Sequence, residues 1–253
     1  MAKKSIAALC APLMILGLFA AGCKKFVKEG CVNEPGIVLT FDDDRVDNWF
    51  TYLPLLDSLG VKATFYICKY NRFSYAQKKK LLAIKASGHE IGFHSTNHYN
   101  MQDYVYKQKH PVEELMQSEI EAGLKLMNRD GYFPTTFAYP YGAHNGLFDK
   151  MLMKYFKSVR ALNGTQDFSK SIVPTGNNDV LYGLGIDQNS KRSDQEITNV
   201  LESVKNNRGC VVFVAHDINS SNKYSVNLQR LLMIISFVKN NNLRYYTASE
   251  ISD

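Results

Sequence analysis

The chain has 253 residues, of which 45% are hydrophobic and 21% charged, and its formal net charge at pH 7 is +6. Residues 1–22 contain two lysines and no acidic residue, so the charge without them is +4. A charge this small, with no basic stripe interleaved with aromatic residues, argues against nucleic-acid binding, and the length favours one domain with its own core.

The N-terminal segment has the pattern of a secretory signal. Lys3 and Lys4 precede a short, uncharged and mostly apolar stretch at residues 5–21, which is typical of a signal peptide rather than a spanning helix. The sequence AAGC that ends at Cys23 resembles a bacterial lipobox, which implies that Cys23 is lipidated. Ordinary secretory cleavage, with this cysteine incidental, is the alternative.

These features predict a lipoprotein signal peptide at residues 1–22, a tether at residues 23–35 and a domain at residues 36–253. The lipid would attach the domain to a membrane of the bacterial cell envelope, facing the periplasm or the cell surface.

Residues 36–44, with the sequence GIVLTFDDD, predict a buried strand that ends in three carboxylates. The carboxyl ends of strands carry the chemistry in α/β barrels. Adjacent like charges repel, so three consecutive Asp residues indicate a bound cation or a protonated member. A solvated turn or a helix N-cap is the alternative.

The rest of the chain alternates between strand and helix patterns. A capping box that begins at Ser74 opens one helix, and another begins at Ser193. Residues 100–110 predict a loop over the barrel mouth, and Pro111 precedes a helix with a regular apolar stripe. Further strands are predicted at residues 63–68, 90–93, 136–139, 158–161, 180–186, 211–215 and 244–247, and further helices at residues 46–59, 193–205 and 225–238. About seven such units predict a single α/β domain, a complete or distorted TIM-like (β/α) barrel.

His94 and His98 follow the predicted strand at residues 90–93. Spaced one helical turn apart, they can face a single ion. Two imidazoles and a carboxylate from elsewhere make a three-ligand zinc set with a fourth position open for water. An isolated His pair also arises by chance, but together with the three Asp residues it predicts one divalent metal, with zinc expected.

Four motifs occur in the order and approximate spacing of the polysaccharide deacetylase family, also called the NodB-homology domain or carbohydrate esterase family 4. They are Thr40-Phe41-Asp42-Asp43, His94-x-x-x-His98, Phe137-x-Tyr139-Pro140-Tyr141-Gly142 and Val214-Ala215-His216-Asp217. The resemblance extends from Ile37 to about Ile251. It implies a distorted (β/α) barrel that removes N-acetyl groups from amino sugars with one divalent metal, usually zinc.

The resemblance also implies roles for individual residues. Asp42 corresponds to the general base and His216 to the general acid, and the backbone N–H of Tyr141 would help to hold the oxyanion. The implied metal ligands are Asp43, His94 and His98, and the residues expected to contact substrate are Tyr139, Pro140 and Val214.

Two features depart from the family pattern. Ala138 stands where the family commonly has an Arg that orients the base, and we predict that Arg160, from the next strand, reaches the Asp42 carboxylate instead. The family's Asp-Trp motif is also missing, and we predict Asp187 as the acidic partner of His216, with Asp179 as the alternative.

The sequence therefore predicts a lipid-anchored, metal-dependent hydrolase that acts on an N-acetylated polysaccharide or oligosaccharide. No protein partner is predicted. The alternatives are an amide hydrolase of the same superfamily with a small-molecule substrate, and a glycan-binding lipoprotein that keeps the metal site without turnover.

Overall fold

The computed structural model describes residues 34–165, 167–173 and 179–252. The predicted signal peptide, Cys23 and nearly all of the tether lie outside these ranges and stay predictions. Within the described ranges, no helix has both the length and the apolar character needed to cross a bilayer.

Parallel strands and surrounding helices make up the described part of the chain. The strands are β1 Gly36–Asp43, β2 Thr64–Ile67, β3 Glu90–Phe93, β4 Thr136–Ala138, β5 Ser158–Leu162, β6 Ile172–Val173, β7 Val180–Gly185, β8 Cys210–Ala215, β9 Asp217–Ile218, β10 Ser225–Val226 and β11 Arg244–Tyr246. The helices are α1 Val46–Ser58, α2 Tyr75–Ala86, α3 (Val112–Leu115, Met116–Glu121 and Ala122–Arg129 in succession), α4 Gly146–Leu152, α5 Asp194–Asn207 and α6 Leu228–Asn240. Short helical turns lie at Tyr70–Arg72, Asp103–Lys107, Pro140–Gly142, Phe168–Ser171 and Gln188–Ser190.

Seven of these strands close into a barrel. The order β1, β2, β3, β4, β5, β7, β8 is parallel throughout, and β8 pairs back with β1 from Gly36↔Cys210 to Phe41↔Ala215. The distortion lies at β1, which pairs with β11 over its first residues and with β2 over its last. The predicted distorted (β/α) barrel is confirmed.

The closed sheet brings the chemically interesting residues to one rim. Because the barrel strands are parallel, their carboxyl ends meet at the same end of the barrel. Strand β1 is buried along its apolar length, as expected for a strand covered on both faces. The rim therefore collects polar residues that lie near the end of a strand or follow it: Asp42, Asp43, His94, Arg160, Asp187 and His216.

Both predicted capping boxes are formed, at Ser74 with Gln77 and at Ser193 with Glu196. The helix predicted at residues 225–238 instead begins at Leu228, because the Asn227 side chain accepts a hydrogen bond from the Arg230 backbone N–H, at 2.7 Å.

Two other segments differ from the prediction. Part of the predicted loop at residues 100–110 is helical. Helix α4 was missed because seven residues are too few to display a periodic pattern.

Candidate active site

The three consecutive carboxylates at the end of β1 have three different partners. Asp42 forms a buried ion pair with Arg160. Asp43 Oδ1 lies 3.3 Å from His98 Nε2, and Asp44 Oδ2 lies 3.4 Å from the Lys69 ammonium. Each carboxylate thus contacts a different residue, and the alternative of a helix N-cap is not observed, because α1 begins without a side-chain cap.

The tautomer of His94 is set by its surroundings. Its Nδ1 lies 2.7 Å from the backbone oxygen of Ala138, which can only accept, so Nδ1 carries the proton. Nε2 is then left with a free lone pair, the form that binds metals. Burial, the nearby His98 and the Arg160 charge hold the pKa of His94 well below its usual value, although Asp43 and the Ala138 carbonyl oppose this, so the ring is neutral at pH 7.

Three candidate ligand atoms converge beside this nitrogen. His94 Nε2 and His98 Nε2 are 3.2 Å apart, and Asp43 Oδ1 lies 3.8 Å and 3.3 Å from them, respectively. Ligand atoms about 2.0–2.2 Å from a tetrahedral zinc lie about 3.3–3.6 Å from one another. Two imidazoles and one carboxylate at this spacing fit a divalent metal of the zinc type.

The spacing of the two histidines suggested a helical turn, but the structure has no helix there. Residues 94–98 form a tight loop in which Ser95 and His98 have positive φ angles of 69° and 66°. The His98 backbone N–H donates to Ser95 Oγ at 3.0 Å. A turn of the backbone, rather than a helical turn, brings the imidazoles together.

Arg160 makes the contact with Asp42 that was predicted from the sequence. Register explains why a residue on β5 can do so, since Arg160 is the Cα partner of Ala138 across the β4–β5 pair. Arg160 is 1% exposed, and its guanidinium lies 5.3 Å from the centre of the Tyr66 ring. The pair engages Asp42 Oδ2, whereas Asp42 Oδ1 is buried without a hydrogen-bond partner and is available to accept a proton.

His216 contacts Asp187, as was also predicted. His216 Nδ1 lies 2.5 Å from Asp187 Oδ2, and the His216 backbone N–H donates to Oδ1 at 3.3 Å. Burial alone would lower the pKa of His216, but the hydrogen bond to Asp187 and the nearby Asp42 and Asp43 charges raise it. Burial raises the pKa of Asp187 despite its hydrogen bond to His216. The alternative partner, Asp179, precedes β7 and lies at the opposite end of the barrel.

One cavity of about 420 Å³ adjoins the three candidate metal ligands, which are Asp43, His94 and His98. The same cavity is lined by Asp42, Arg160 and His216. Its lining residues are Asp42, Asp43, Arg45, His94, His98, Tyr139, Tyr141, Gly142, Arg160, Leu162, Asn189, His216 and Tyr224. Sequence reasoning missed Asn189 and Tyr224, because Asn189 lies in a short helical turn and Tyr224 in a polar loop, and neither segment carries a motif.

The residues expected to contact substrate differ in their exposure and in the cavity that they line. Tyr141 is 64% exposed and its ring centre lies 4.8 Å from that of His98. Tyr139 lines the cavity, but it is buried and its hydroxyl donates to Asp149 at 2.7 Å. Pro140 is buried and lines neither this cavity nor its neighbour. Val214 lines the neighbouring cavity of about 350 Å³, which shares His216 with the first.

Trp49 supports the backbone beside His216. Its indole Nε1–H donates to the His216 carbonyl oxygen at 2.7 Å. The only tryptophan of the chain therefore lies under this rim from α1, rather than within the cavity.

Comparisons with known proteins agree with this architecture. The family model for polysaccharide deacetylases matches residues 29–155. The peptidoglycan-N-acetylglucosamine deacetylase PgdA of Listeria monocytogenes is 32% identical over 113 residues, which are 43% of this chain and 22% of that protein. The chain thus matches about a fifth of the length of the curated relative.

Solved structures extend the similarity to most of the chain. A family 4 carbohydrate esterase from Streptomyces lividans matches with a TM-score of 0.59 at 19% identity, covering 87% of this chain and 95% of that one. A chitin deacetylase from Colletotrichum lindemuthianum matches with a TM-score of 0.58 at 14% identity, covering 88% and 89%. At these identities the likeness shows the shared fold.

Proposed function

The chain belongs to the polysaccharide deacetylase family, and from this membership we propose that it hydrolyses the N-acetyl amide of an N-acetylated glycan. The observation that carries the proposal is the arrangement around one cavity of a metal-ligand set, a carboxylate with a free oxygen and a histidine paired with an acid. Amide hydrolysis needs a nucleophilic water, a base and an acid for the departing amine, and this rim offers a group for each.

The proposed substrate is a polymer or oligomer that contains N-acetylglucosamine. Its support is the relative that acts on peptidoglycan and the structural neighbour that acts on chitin. The cavity is open at the barrel rim and is bordered by exposed Tyr141 and Tyr224, which suits a sugar with an apolar ring face.

Asp43, His94 and His98 would hold one divalent cation, and zinc suits this donor set. When bound, the cation polarises the amide carbonyl and makes water a stronger acid. Asp42 takes up the proton of the attacking water on Oδ1, while Arg160 engages Oδ2 and fixes the carboxylate.

His216 supplies the proton that the departing amine requires. Asp187 occupies its Nδ1, so Nε2 is the nitrogen that can donate into the cavity. The backbone N–H of Tyr141 is proposed to donate to the oxyanion that forms on the acetyl group. Having both a base and an acid at one rim favours turnover over simple glycan binding.

The test is acetate release by the purified protein from N-acetylglucosamine oligomers, peptidoglycan and small N-acetylated amides. The protein is assayed after chelation and again after titration with zinc. We expect release from the glycans that disappears with the chelator and returns with zinc. Release from the small amides alone would favour the small-molecule hydrolase, and zinc binding without any release would favour the binding protein.

Replacing Asp187 with Asn should move the pH profile. Because the carboxylate of Asp187 helps to raise the pKa of His216, its loss lowers that pKa. His216 donates only when protonated, so activity falls as the pH rises through its pKa, and in the variant this fall occurs at lower pH. The measurement is kcat/KM for acetate release against pH.

Asp179→Asn is the control for the same chemical change, since Asp179 lies at the far end of the barrel. An alkaline limb that stays in place in Asp187→Asn would remove Asp187 from its assigned role.

Replacing Tyr224 with Ala should weaken substrate binding. The ring is 41% exposed, lines the cavity and lies 5.5 Å from the His216 ring, centre to centre. Loss of an aromatic contact with a sugar ring should raise KM for the oligomers about 3- to 10-fold, with a smaller change in kcat. Tyr155→Ala is the matched control, because Tyr155 is 40% exposed and lies away from the cavity. An equal KM in the two variants would exclude Tyr224 from the binding surface.

A further inference from the structure

Glu119 is a buried carboxyl that the proposed chemistry does not use. It lies on α3 and has no exposed surface. Its Oε2 accepts the backbone N–H of Asn97 at 2.9 Å, and its Oε1 accepts the Asn97 side-chain N–H at 2.6 Å. Both carboxyl oxygens therefore accept hydrogen bonds from one residue, Asn97, which lies in the loop between His94 and His98.

The backbone of Glu119 contacts the same loop. Its carbonyl oxygen accepts the Thr96 N–H at 2.9 Å and the Thr96 hydroxyl at 3.0 Å. Four hydrogen bonds thus join one helical residue to two consecutive residues, both of which lie between the two histidines.

The loop needs such support because its backbone is strained. Ser95 and His98 both have positive φ angles, which L-residues with a side chain adopt only at an energetic cost. Strained conformations of this kind persist where the surroundings determine them. The Glu119 contacts lie between the two strained positions, where they oppose relaxation of both.

The shape of α3 brings Glu119 into position. Residues Met116–Glu121 form a π-helical turn, which widens the helix where it faces the loop. One turn further on, Gly123 allows a close approach, since a Cβ atom there would come within 2.6 Å of Thr96 Oγ1 and of the Phe93 ring. The helix is therefore packed directly onto the histidine loop.

We propose that Glu119 is a positioning residue that holds His94 and His98 in their metal-binding arrangement before the metal arrives. The proposal rests on the metal site of the proposed function. Without Glu119, binding of the metal would have to order the loop as well, and the affinity would fall accordingly.

The test compares zinc affinity among three variants of the metal-free protein, by competition with a chromophoric chelator. Glu119→Ala removes both side-chain hydrogen bonds, and we expect zinc binding at least about tenfold weaker than in the wild type. Glu119→Gln should stay within about threefold, because a flipped Asn97 amide can accept from the glutamine amide while the backbone N–H of Asn97 still donates to its oxygen. Glu121→Ala, on the same turn but bonded to Tyr155 at the surface, should bind like the wild type.

A wild-type zinc affinity in folded Glu119→Ala would overturn the proposal. If that variant does not fold, Asn97→Ala decides, because it removes one of the four bonds and leaves the helix intact. It should weaken zinc binding measurably, and an unchanged affinity would overturn the proposal equally. If the wild type itself binds no zinc, the metal site of the proposed function fails instead, so the two failures are distinguishable.

Discussion

Asp42→Asn is expected to lower kcat for acetate release by about 10²- to 10⁴-fold, the usual contribution of a positioned general base. The Asn side chain keeps the size of Asp42 but cannot take up a proton at the position of Oδ1, the oxygen without a hydrogen-bond partner. The metal ligands are untouched, so the zinc content should stay at the wild-type level. The measurement is the rate of acetate release at saturating oligomer, with zinc quantified in the same sample.

Asp44→Asn is the control, because it removes a carboxylate two residues further on that pairs with Lys69 and does not line the cavity. Its rate should remain close to that of the wild type. If Asp42→Asn were as active as this control, the proton would have to be accepted by another group and the assigned mechanism would be wrong.

Arg160→Ala is expected to cost about 3–5 kcal/mol of unfolding free energy, because it leaves a buried charge without its partner. Asp42 is 2% exposed and Arg160 1% exposed, so solvent cannot replace the lost contact. The rate of acetate release should fall as well, since the Asp42 carboxylate loses the group that orients it. Chemical denaturation measures the first effect, and acetate release measures the second.

Arg244→Ala provides a comparison at the surface. Arg244 lies 3.9 Å from Glu34 in an exposed pair, and its removal should cost about 1 kcal/mol or less. Equal losses of stability in the two variants, together with an unchanged rate in Arg160→Ala, would show that the buried pair neither stabilises the barrel nor serves the site.

The parts of this site that follow a strand were predictable from the sequence. Asp42, Asp43 and His216 come directly at the ends of apolar runs, and parallel strands bring such ends to one rim. The contact between Arg160 and Asp42 was predictable from the family resemblance. Ala138 on β4 stands where the family commonly has an Arg, and Arg160 lies beside it on β5.

The conformation of the loop and the residues that hold it were not predictable. The spacing of His94 and His98 suggested a helical turn, but two positive φ angles replace it. The contact between Glu119 and Asn97 depends on a π-helical turn in α3. The spacing of apolar residues in the sequence does not reveal such a turn. Tyr224 comes from a polar loop whose position depends on the tertiary fold.

The most direct test of amide hydrolysis is to quantify acetate and new free amines in one reaction of the zinc-loaded protein with N-acetylglucosamine oligomers. We expect the two products in equal amounts, and neither product above background after chelation of the metal. The absence of both products from zinc-loaded protein would contradict the assignment as a glycan N-deacetylase.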